Sequence, residues 1–394
     1  MNVGVICLKY RLLPTKAQET ALQATLTLCR DVYNSLVIER AAVYETTGKY
    51  LTYREQQNVS LKNWKAAHPE LSSLHSQVLQ NIAVRVDLAF KAFFRRVKSG
   101  ETPGYPRLKG RGVYDSITFP QAQVTGCKLI GTTLHVSKIG QVKCIVHRPL
   151  VGTPKTCTIR RQSGKWYACF ACEYEPGPLP ESDESIGIDV GLTQFAALSD
   201  GSFVANPRFF RRDEKALAKA GRRQAKTVKR SRARRKANKV LSRIHERIRN
   251  RRHDFVHQFA RRIVNRYGLI AVEKLNVKGM VHNHCLAKSI SDASWSLFLA
   301  VLTQKAESAA ASAAASAAAT RQVVEIDPAY TSQDCHQCGN RAKKKLSERW
   351  HLCPMCGASL DRDTNAAINI LNRALLNKAD KAAVGQHSVA GIPA

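Results

Sequence analysis

Two pairs of cysteines near the C-terminal end constrain the fold of this chain more than any other feature of its sequence. Each pair has the form C-x2-C followed by glycine, and fourteen residues separate the two pairs. The four residues are Cys335, Cys338, Cys353 and Cys356. Four thiolates at this spacing are typical of a tetrahedral zinc site, which is saturated without the alternative ligands His336 and His351. The pattern predicts a structural Zn²⁺ and requires two segments of the chain to meet.

The remaining cysteines predict neither a second metal site nor a disulfide framework. Cys169 and Cys172 also have C-x2-C spacing, but they fall in a predicted strand, where residues three apart point to opposite faces. No second pair faces them, so we interpret them as ordinary half-buried cysteines. Twelve cysteines used in this way are typical of a reducing compartment, and a cytoplasmic location is expected.

The charge balance indicates a polyanionic partner. The chain has 62 Lys and Arg against 30 Asp and Glu, a formal net charge of +32, and nucleic acid is the commonest partner of such proteins. A histone-like or ribosomal protein is the alternative, but 394 residues with 44% hydrophobic content can bury a large core. No apolar run reaches the roughly 18 residues of a membrane span, and no secretory signal begins the chain. No membrane partner is therefore expected.

The N-terminal part of the sequence predicts a helical lobe combined with a small β-barrel. Residues 1–14 contain the first strand, and Thr15 and Gln18, at capping-box spacing, indicate the start of a helix. Apolar side chains then recur at helical intervals, so residues 15–103 are predicted to form the lobe. Residues 104–180 contain short strands separated by Gly and Pro turns, which predict the remainder of the barrel.

Residues 181–378 alternate between strand and helix patterns and predict an α/β domain, followed by a disordered tail at 379–394. Within this domain, residues 206–262 contain 22 Lys and Arg against four acidic residues and keep a narrow apolar stripe. A basic helical hairpin is predicted there. A solvated charged face is the alternative, but charge of nearly one sign favours a polyanion. The Ala/Ser-rich segment 307–320 is predicted to lengthen the helix that begins near Trp295.

Three acidic residues lie in three separate apolar segments of this basic chain. They are Asp189, Glu273 and Asp363, in the sequences IGIDVG, LIAVEKL and DRDTNAA. A carboxylate in an apolar segment is costly unless a positive group meets it. Converging carboxylates can hold the two metal ions, about 4 Å apart, that hydrolyse phosphodiesters. Each acid has an alternative: Asp189 could begin a turn, Glu273 could pair with a lysine, and Asp363 could cap a helix.

Ordered motifs along most of the chain match those of a known family. In the first half they are Leu12-Leu-Pro14-Thr-Lys-Ala-Gln18, Asp31-Val-Tyr33-Asn34 and Gly104-Tyr-Pro106-Arg107. In the second half they are Gly187-Ile-Asp189-Val-Gly191, Val272-Glu273-Lys-Leu, Ser289-Ile-Ser-Asp292-Ala-Ser-Trp295, Tyr330-Thr-Ser-Gln333 with the cysteine pairs, and Asp361-Arg-Asp363-Thr-Asn365-Ala-Ala. With these motifs in this order, residues 3–375 resemble TnpB (OrfB) proteins, the transposon-encoded RNA-guided nucleases related to type V CRISPR effectors. The Ala/Ser-rich segment departs from the family pattern.

The resemblance implies a multidomain α/β fold in which residues 181–378 form an RNase H-like RuvC nuclease domain. A zinc ribbon at 330–360 is inserted before the third acid, and the N-terminal part supplies a helical recognition lobe and a wedge-type β-barrel. The three acids then occupy the catalytic positions and hold two Mg²⁺ ions. Asp361 and Asp292 fall in matching motifs, and neither receives a role.

The function that the resemblance implies is RNA-guided DNA cleavage on behalf of an insertion sequence. Similar proteins bind a guide RNA from the transposon end, recognise a short motif beside the target in double-stranded DNA, and cut both strands. A monomer within the RNA–protein complex and a nucleoid-associated location in a prokaryotic cytoplasm are expected. The alternatives are a guided DNA-binding regulator that does not cut, a DNA-joining transposase and, last, a structural RNA-binding protein, which would leave the three acids without a purpose.

Overall fold

The computed structural model describes residues 4–175, 177, 179–312, 321–345 and 348–387. The chain forms two compact units. The N-terminal unit is Val3–Glu175, and the C-terminal unit is Pro176–Ala394 together with the first two residues. The division falls at the proline-rich segment Pro176-Gly-Pro-Leu-Pro180, where the sequence predicts the end of the barrel.

The N-terminal unit contains a seven-stranded antiparallel sheet that forms a nearly closed barrel. Its strands are β1 (Gly4–Leu13), β2 (Ser116–Phe119), β3 (Cys127–Ile130), β4 (Thr133–Val136), β5 (Gly140–Ile145), β6 (Thr153–Gln162) and β7 (Lys165–Tyr174). The strand order is β2-β6-β7-β1-β5-β4-β3, so the first strand of the chain lies between two strands that come much later. Alternate side chains of β7 are buried, which is the period of a strand with one face on the core.

The helices of the N-terminal unit share one core with the barrel. They are α1 (Lys16–Thr47), α2 (Tyr53–Glu55), α3 (Leu61–Ala67) and α4 (Ser76–Lys98), with a π-helical turn at Gln56–Ser60 and a 3-10 turn at Pro69–Ser73. Helix α1 begins at the predicted capping box, because the Thr15 hydroxyl accepts from Gln18 N–H while the Gln18 side chain accepts from Thr15 N–H. Leu22 and Leu36 of α1 are buried in the same cluster as Trp166 of β7. The predicted lobe and barrel are therefore packed as a single unit.

The C-terminal unit is built on a mixed five-stranded sheet. Its strands are β8 (Ser185–Val190), β9 (Gln194–Leu198), β10 (Phe203–Ala205), β11 (Leu269–Glu273) and β12 (Gln322–Ile326). Their order is β10-β9-β8-β11-β12, in which β9 is antiparallel to both β10 and β8, and β11 is parallel to both β8 and β12. Strand β11 is buried along almost its whole length, as expected of a central parallel strand.

The described part of the C-terminal unit also contains six helices and a two-stranded hairpin. They are α5 (Phe209–Ala225), α6 (Arg232–Arg266), α7 (Val277–Val281), α8 (His284–Ala293), α9 (Trp295–Ser312) and α10 (Arg362–His387), with β13 (Trp350–Leu352) and β14 (Ser359–Asp361). Helices α5 and α6 form the basic helical hairpin that the sequence predicts. Aromatic rings fill the core between α6, α9 and the sheet: Phe195, Phe259 and Phe298 are all buried, and the last two stack with centroids 5.0 Å apart.

One segment differs in extent from the sequence-based expectation, and part of another lies outside the described residues. Helix α9 is helical as far as Ser312, and the rest of the Ala/Ser-rich segment, 313–320, lies outside the described residues. The expected disordered tail at 379–394 is helical in its first part, because α10 continues to His387. The sequence Lys378-Ala-Asp-Lys-Ala-Ala has high helix propensity, which is the physical reason that the helix continues.

One helical stretch, His284–Ala310, is long and apolar enough to cross a membrane by length and composition. Several of its apolar side chains, including Trp295, Phe298 and Leu302, are buried in the core of the C-terminal unit. The core helix of a globular protein meets the same criterion, so this stretch is weak evidence for a membrane span.

Candidate active site

Two of the three acids lie at one edge of the five-stranded sheet. In the parallel pairing of β8 with β11, Ile188 lies opposite Val272. The next residue is Asp189 on β8 and Glu273 on β11. Both side chains are half-buried and lie at the carboxyl ends of adjacent parallel strands. This edge is where α/β sheets commonly bind ligands.

Helix α10 brings the third acid to the same edge by crossing β8 at a glycine. A Cβ atom on Gly187 would lie 2.0 Å from the carbonyl oxygen of Ala367 and 3.0 Å from Cβ of Leu371. Gly187 therefore permits the backbone of the helix to touch the strand. Asp189 follows this contact by two residues, and Asp363 precedes Ala367 by about one helical turn. The close crossing thus brings Asp363 near Asp189, close enough for its charge to raise the pKa of Asp189.

The electrostatics of these acids indicate a site that is short of positive charge. Burial raises the pKa of Asp189 well above its ordinary value, and repulsion from Glu273 and Asp363 raises it further. Arg362 acts in the opposite direction. Burial also raises the pKa of Glu273. Divalent cations would stabilise the ionised forms of these carboxyl groups, so the donor set fits a metal site.

Two acids at the start of α10, Asp361 and Asp363, have different contacts. Asp361 Oδ1 accepts hydrogen bonds from the backbone N–H groups of Asp363, at 2.8 Å, and Thr364, at 3.1 Å. Asp361 therefore caps the helix, and the alternative that Asp363 is the cap is wrong. The Asp363 carboxylate lies instead 3.1 Å from Arg362 Nη2 and 3.6 Å from Arg349 Nη1.

Thr331 fixes the orientation of Glu273. Its hydroxyl donates a 2.7 Å hydrogen bond to Glu273 Oε1 and lowers the pKa of that carboxyl against the effect of burial. The Thr331 carbonyl in turn accepts from Nδ2 of Asn369 on α10, at 2.9 Å. Sequence reasoning gave Thr331 no role, because its partner is 58 residues away. Its place in the Tyr-Thr-Ser-Gln motif was the available signal.

The four cysteines come together as their spacing predicts. Their Sγ atoms all lie within 4.8 Å of one another, and no other group of three or more candidate ligands among the described residues is so compact. Cys335 Sγ is 3.6 Å from Cys356 Sγ, and Cys338 Sγ is 3.5 Å from Cys353 Sγ. Four thiolates around tetrahedral zinc lie about 3.8 Å apart, so the cluster fits Zn²⁺. Neither alternative histidine belongs to the cluster.

Two asparagines of α10 attach the first cysteine pair to this helix. Asn365 Nδ2 donates to the carbonyl of Asp334, at 2.8 Å, and Asn365 Oδ1 accepts from the backbone N–H of His336, at 3.1 Å. Asn369 Nδ2 donates to the same Asp334 carbonyl, at 2.7 Å. Because Asn365 lies only two residues after Asp363, the cysteine cluster and the third acid are held by one short piece of helix.

Asp292, to which the sequence assigned no role, fastens the basic hairpin to α8. Its buried carboxylate accepts from the backbone N–H groups of Phe210, at 2.9 Å, and Arg211, at 3.3 Å, in the first turn of α5. It also accepts from Arg252 Nη2 of α6, at 2.8 Å. These contacts satisfy a buried charge from both helices of the hairpin.

Three family models match the sequence. The model described as "Probable transposase", of the IS605 OrfB family, matches residues 169–284. The model described as "Cas12f1-like, TNB domain" matches residues 313–370, which contain the four cysteines. A "Helix-turn-helix domain" model of the OrfB family matches residues 6–49, which in this structure are mainly strand β1 and the single helix α1.

Two relatives that match along most of their length are named for one activity. A Streptomyces pristinaespiralis protein with the provisional name RNA-guided DNA endonuclease is 32% identical over 376 residues, covering 92% of this chain and 88% of that protein. Escherichia coli K12 has a protein with the provisional name RNA-guided DNA endonuclease InsQ, 29% identical over 384 residues, covering 92% of this chain and 90% of that protein. The chain is therefore a member of a transposon-associated protein class. It belongs to the IS605 OrfB (TnpB) family and carries a Cas12f-like TNB domain.

Solved structures of more distant proteins overlap the fold only loosely. A Cas12f1–sgRNA–target DNA complex has 16% sequence identity and a TM-score of 0.35, with 93% of this chain and 99% of that chain covered.

Proposed function

We propose that this protein is an RNA-guided DNA endonuclease that requires a divalent metal. The observation that carries the proposal is the convergence of Asp189, Glu273 and Asp363 from two strands and a helix. Proteins of the same family, related along most of the chain, are named for this activity. A structural RNA-binding protein would have no use for half-buried carboxylates that repel one another.

The five-stranded sheet supports an RNase H-like RuvC domain. The first acid lies on the central strand β8, the second on its parallel neighbour β11, and the third on α10, which crosses β8. The four-cysteine segment precedes the third acid in sequence, which is the arrangement expected of a ribbon inserted into such a domain. We propose that its ion is Zn²⁺ and that its role is structural, since four thiolates leave no open position.

Asp189, Glu273 and Asp363 would hold two Mg²⁺ ions. Carboxylates that come from two strands and a helix could together hold two ions about 4 Å apart. Mg²⁺, when bound, would supply a lower pKa for the attacking water and positive charge near the leaving oxygen. The protein supplies the positions: Thr331 holds one oxygen of Glu273, and Asp361 fixes the first turn of the helix that carries Asp363.

The basic hairpin and the net charge of +32 support nucleic acid partners. Guide RNA and a guide–target heteroduplex present many phosphates, which Lys and Arg bind without reading sequence. Base pairing then supplies the sequence specificity. We propose a guide RNA from the transposon end and double-stranded target DNA as the partners, with one copy of the protein in the complex.

A cleavage assay tests the proposal. The protein is expressed together with flanking transposon DNA, the copurified RNA–protein complex is incubated with a plasmid library in Mg²⁺, and cut products are sequenced. The wild type should cut beside a recurrent short motif, and Asp189→Ala should abolish cutting. Asp254→Ala, which removes an exposed carboxylate on α6, is the matched control and should cut like the wild type. Tight target binding without nicks in Mg²⁺ or Mn²⁺, or full activity of Asp189→Ala, would contradict the proposal.

A further inference from the structure

A cavity of about 430 Å³ opens in the C-terminal unit between the end of β8, the start of α5 and helix α8. Its polar lining comes from Thr193, Asn206, Arg208, Arg211, Ser289 and Asp292. The volume lies in the range of sites that hold small ligands, about 300–1,000 Å³. Two of its lining residues belong to the Ser-Ile-Ser-Asp motif, for which the proposed chemistry has no use.

The cavity lies close to the candidate active site. Thr193 follows Asp189 by four residues, which limits their separation to about 14 Å. The Thr193 hydroxyl accepts a 3.1 Å hydrogen bond from Arg349 Nη2, and Nη1 of the same arginine lies 3.6 Å from Asp363. Consecutive nucleotides of one duplex strand advance about 3.4 Å along the axis. A strand held at the three acids would therefore reach the cavity within a few nucleotides.

The charge of the cavity favours an anion. Asp292 is already neutralised by Arg252 and by two backbone N–H groups. Arg208 is exposed, and among the described residues its guanidinium has no hydrogen bond or ion pair. Arg211 shares the half-buried Glu214 carboxylate with Lys288, and an ion pair so close to the surface stabilises the position of a guanidinium only weakly. Two arginines are thus available to a ligand.

The backbone at Arg208 supports a functional reason for this residue. Arg208 has φ 46° and ψ 49°, the left-handed conformation, which is strained for a residue that carries a side chain. Asn206 holds it there, because its Oδ1 accepts from Arg208 N–H, at 3.2 Å, while its Nδ2 donates to the Leu192 carbonyl, at 2.9 Å. Glycine would adopt this conformation without strain. The chain keeps a long cationic side chain where the fold alone favours glycine.

We propose that this cavity is a nucleotide subsite that binds the DNA strand beside the phosphodiester being cut. Arg208 and Arg211 contact a backbone phosphate, which guanidinium groups bind in a fork geometry. The Ser289 hydroxyl, which has no partner among the described residues, faces the same space and can bond to the sugar or base. The subsite positions the strand at the acids and rests on the proposed nuclease function.

The variant Arg208→Gly tests the subsite, because it removes the cation and relieves the backbone strain together. In the complete RNA–protein complex with its target DNA, single-turnover cleavage should fall about 10- to 100-fold, the range for losing a hydrogen-bonded charge. The melting temperature should be equal to or above that of the wild type. Lys278→Ala removes an exposed cation of α7 that lies outside the basic hairpin and does not line the cavity, and it should cut within about twofold of the wild type.

A second arm identifies the contact. Target strands carry one neutral methylphosphonate at each position near the mapped cut. One position should slow the wild type by the same factor as Arg208→Gly, and the variant should be insensitive at that position, because both changes remove one contact. Equal cutting by Arg208→Gly and Lys278→Ala overturns the subsite while the nuclease stands. A wild type that never cuts overturns the nuclease and the subsite with it.

Discussion

Replacing Gly187 by alanine should push helix α10 off strand β8 and disable the site without touching any acid. The added Cβ would lie 2.0 Å from the Ala367 carbonyl oxygen and 3.0 Å from Leu371 Cβ, whereas real Cβ atoms essentially never have contacts under 3.0 Å. The obstacle is main chain and has no rotamer to change. The helix must therefore retreat by about 1 Å, and Asp363 must move with it.

The size of the effect follows from that distance. Overpacking of this kind costs about 1–3 kcal/mol, which lowers the melting temperature of a unit of about 200 residues by roughly 2–12 °C. A displacement of about 1 Å at a reacting centre costs roughly 100-fold in rate. Calorimetry of the purified protein and single-turnover cleavage in saturating Mg²⁺ measure the two effects separately.

Gly221→Ala is the matched control for this prediction. Gly221 lies within helix α5, and a Cβ atom there would meet nothing within 4 Å. Alanine at that position should stabilise the protein by up to about 1 kcal/mol and leave cleavage unchanged. A Gly187→Ala protein that melts and cuts like the wild type would refute the close helix crossing and the placement of Asp363 that depends on it.

Three further predictions concern the acids and the cysteine cluster. Burial and neighbouring carboxylates raise the pKa of Asp189, so the Mg²⁺-free fold loses stability as pH rises above the ordinary Asp range. Asp189→Asn should therefore raise the melting temperature at pH 7 by a few degrees. A lower melting temperature would contradict this. Thr331→Val removes the bond that lowers the pKa of Glu273, so the acidic limb of the pH–cleavage profile should move to higher pH; an unmoved limb would refute that role. Cys338→Ser should bind no Zn²⁺ when its metal content is measured by atomic absorption, and its melting temperature should be lower than that of the wild type. A variant that retains the ion would refute the role of the four cysteines as its ligands.

Local chemistry explains what the sequence predicted well. Thr15 and Gln18 specify their capping box within four residues, and the cysteine spacing specifies a cluster whatever the surrounding fold. The basic hairpin follows from a periodic stripe and one-sided charge. The acids were also visible in advance, because a carboxylate within an apolar strand is unusual wherever it occurs.

Contacts between distant segments explain what the sequence did not reveal. Asp361 and Asp363 differ in role only because one is positioned to accept the first N–H groups of α10. The bond from Thr331 to Glu273 and the anchoring of α5 by Asp292 join segments more than 50 residues apart. The cavity is lined by Arg208, whose left-handed backbone conformation cannot be predicted from the hydrophobic periodicity of the sequence.

The most direct test of the central claim compares Asp363→Asn with Asp361→Asn in guided cleavage of one target in Mg²⁺. Asparagine caps a helix as well as aspartate does, so Asp361→Asn keeps the first turn of α10 and should cut within about tenfold of the wild type. Asp363→Asn removes a carboxylate from the proposed metal site and should lose at least about 100-fold. Equal rates for the two variants, or a greater loss in Asp361→Asn, would contradict a site built from Asp189, Glu273 and Asp363.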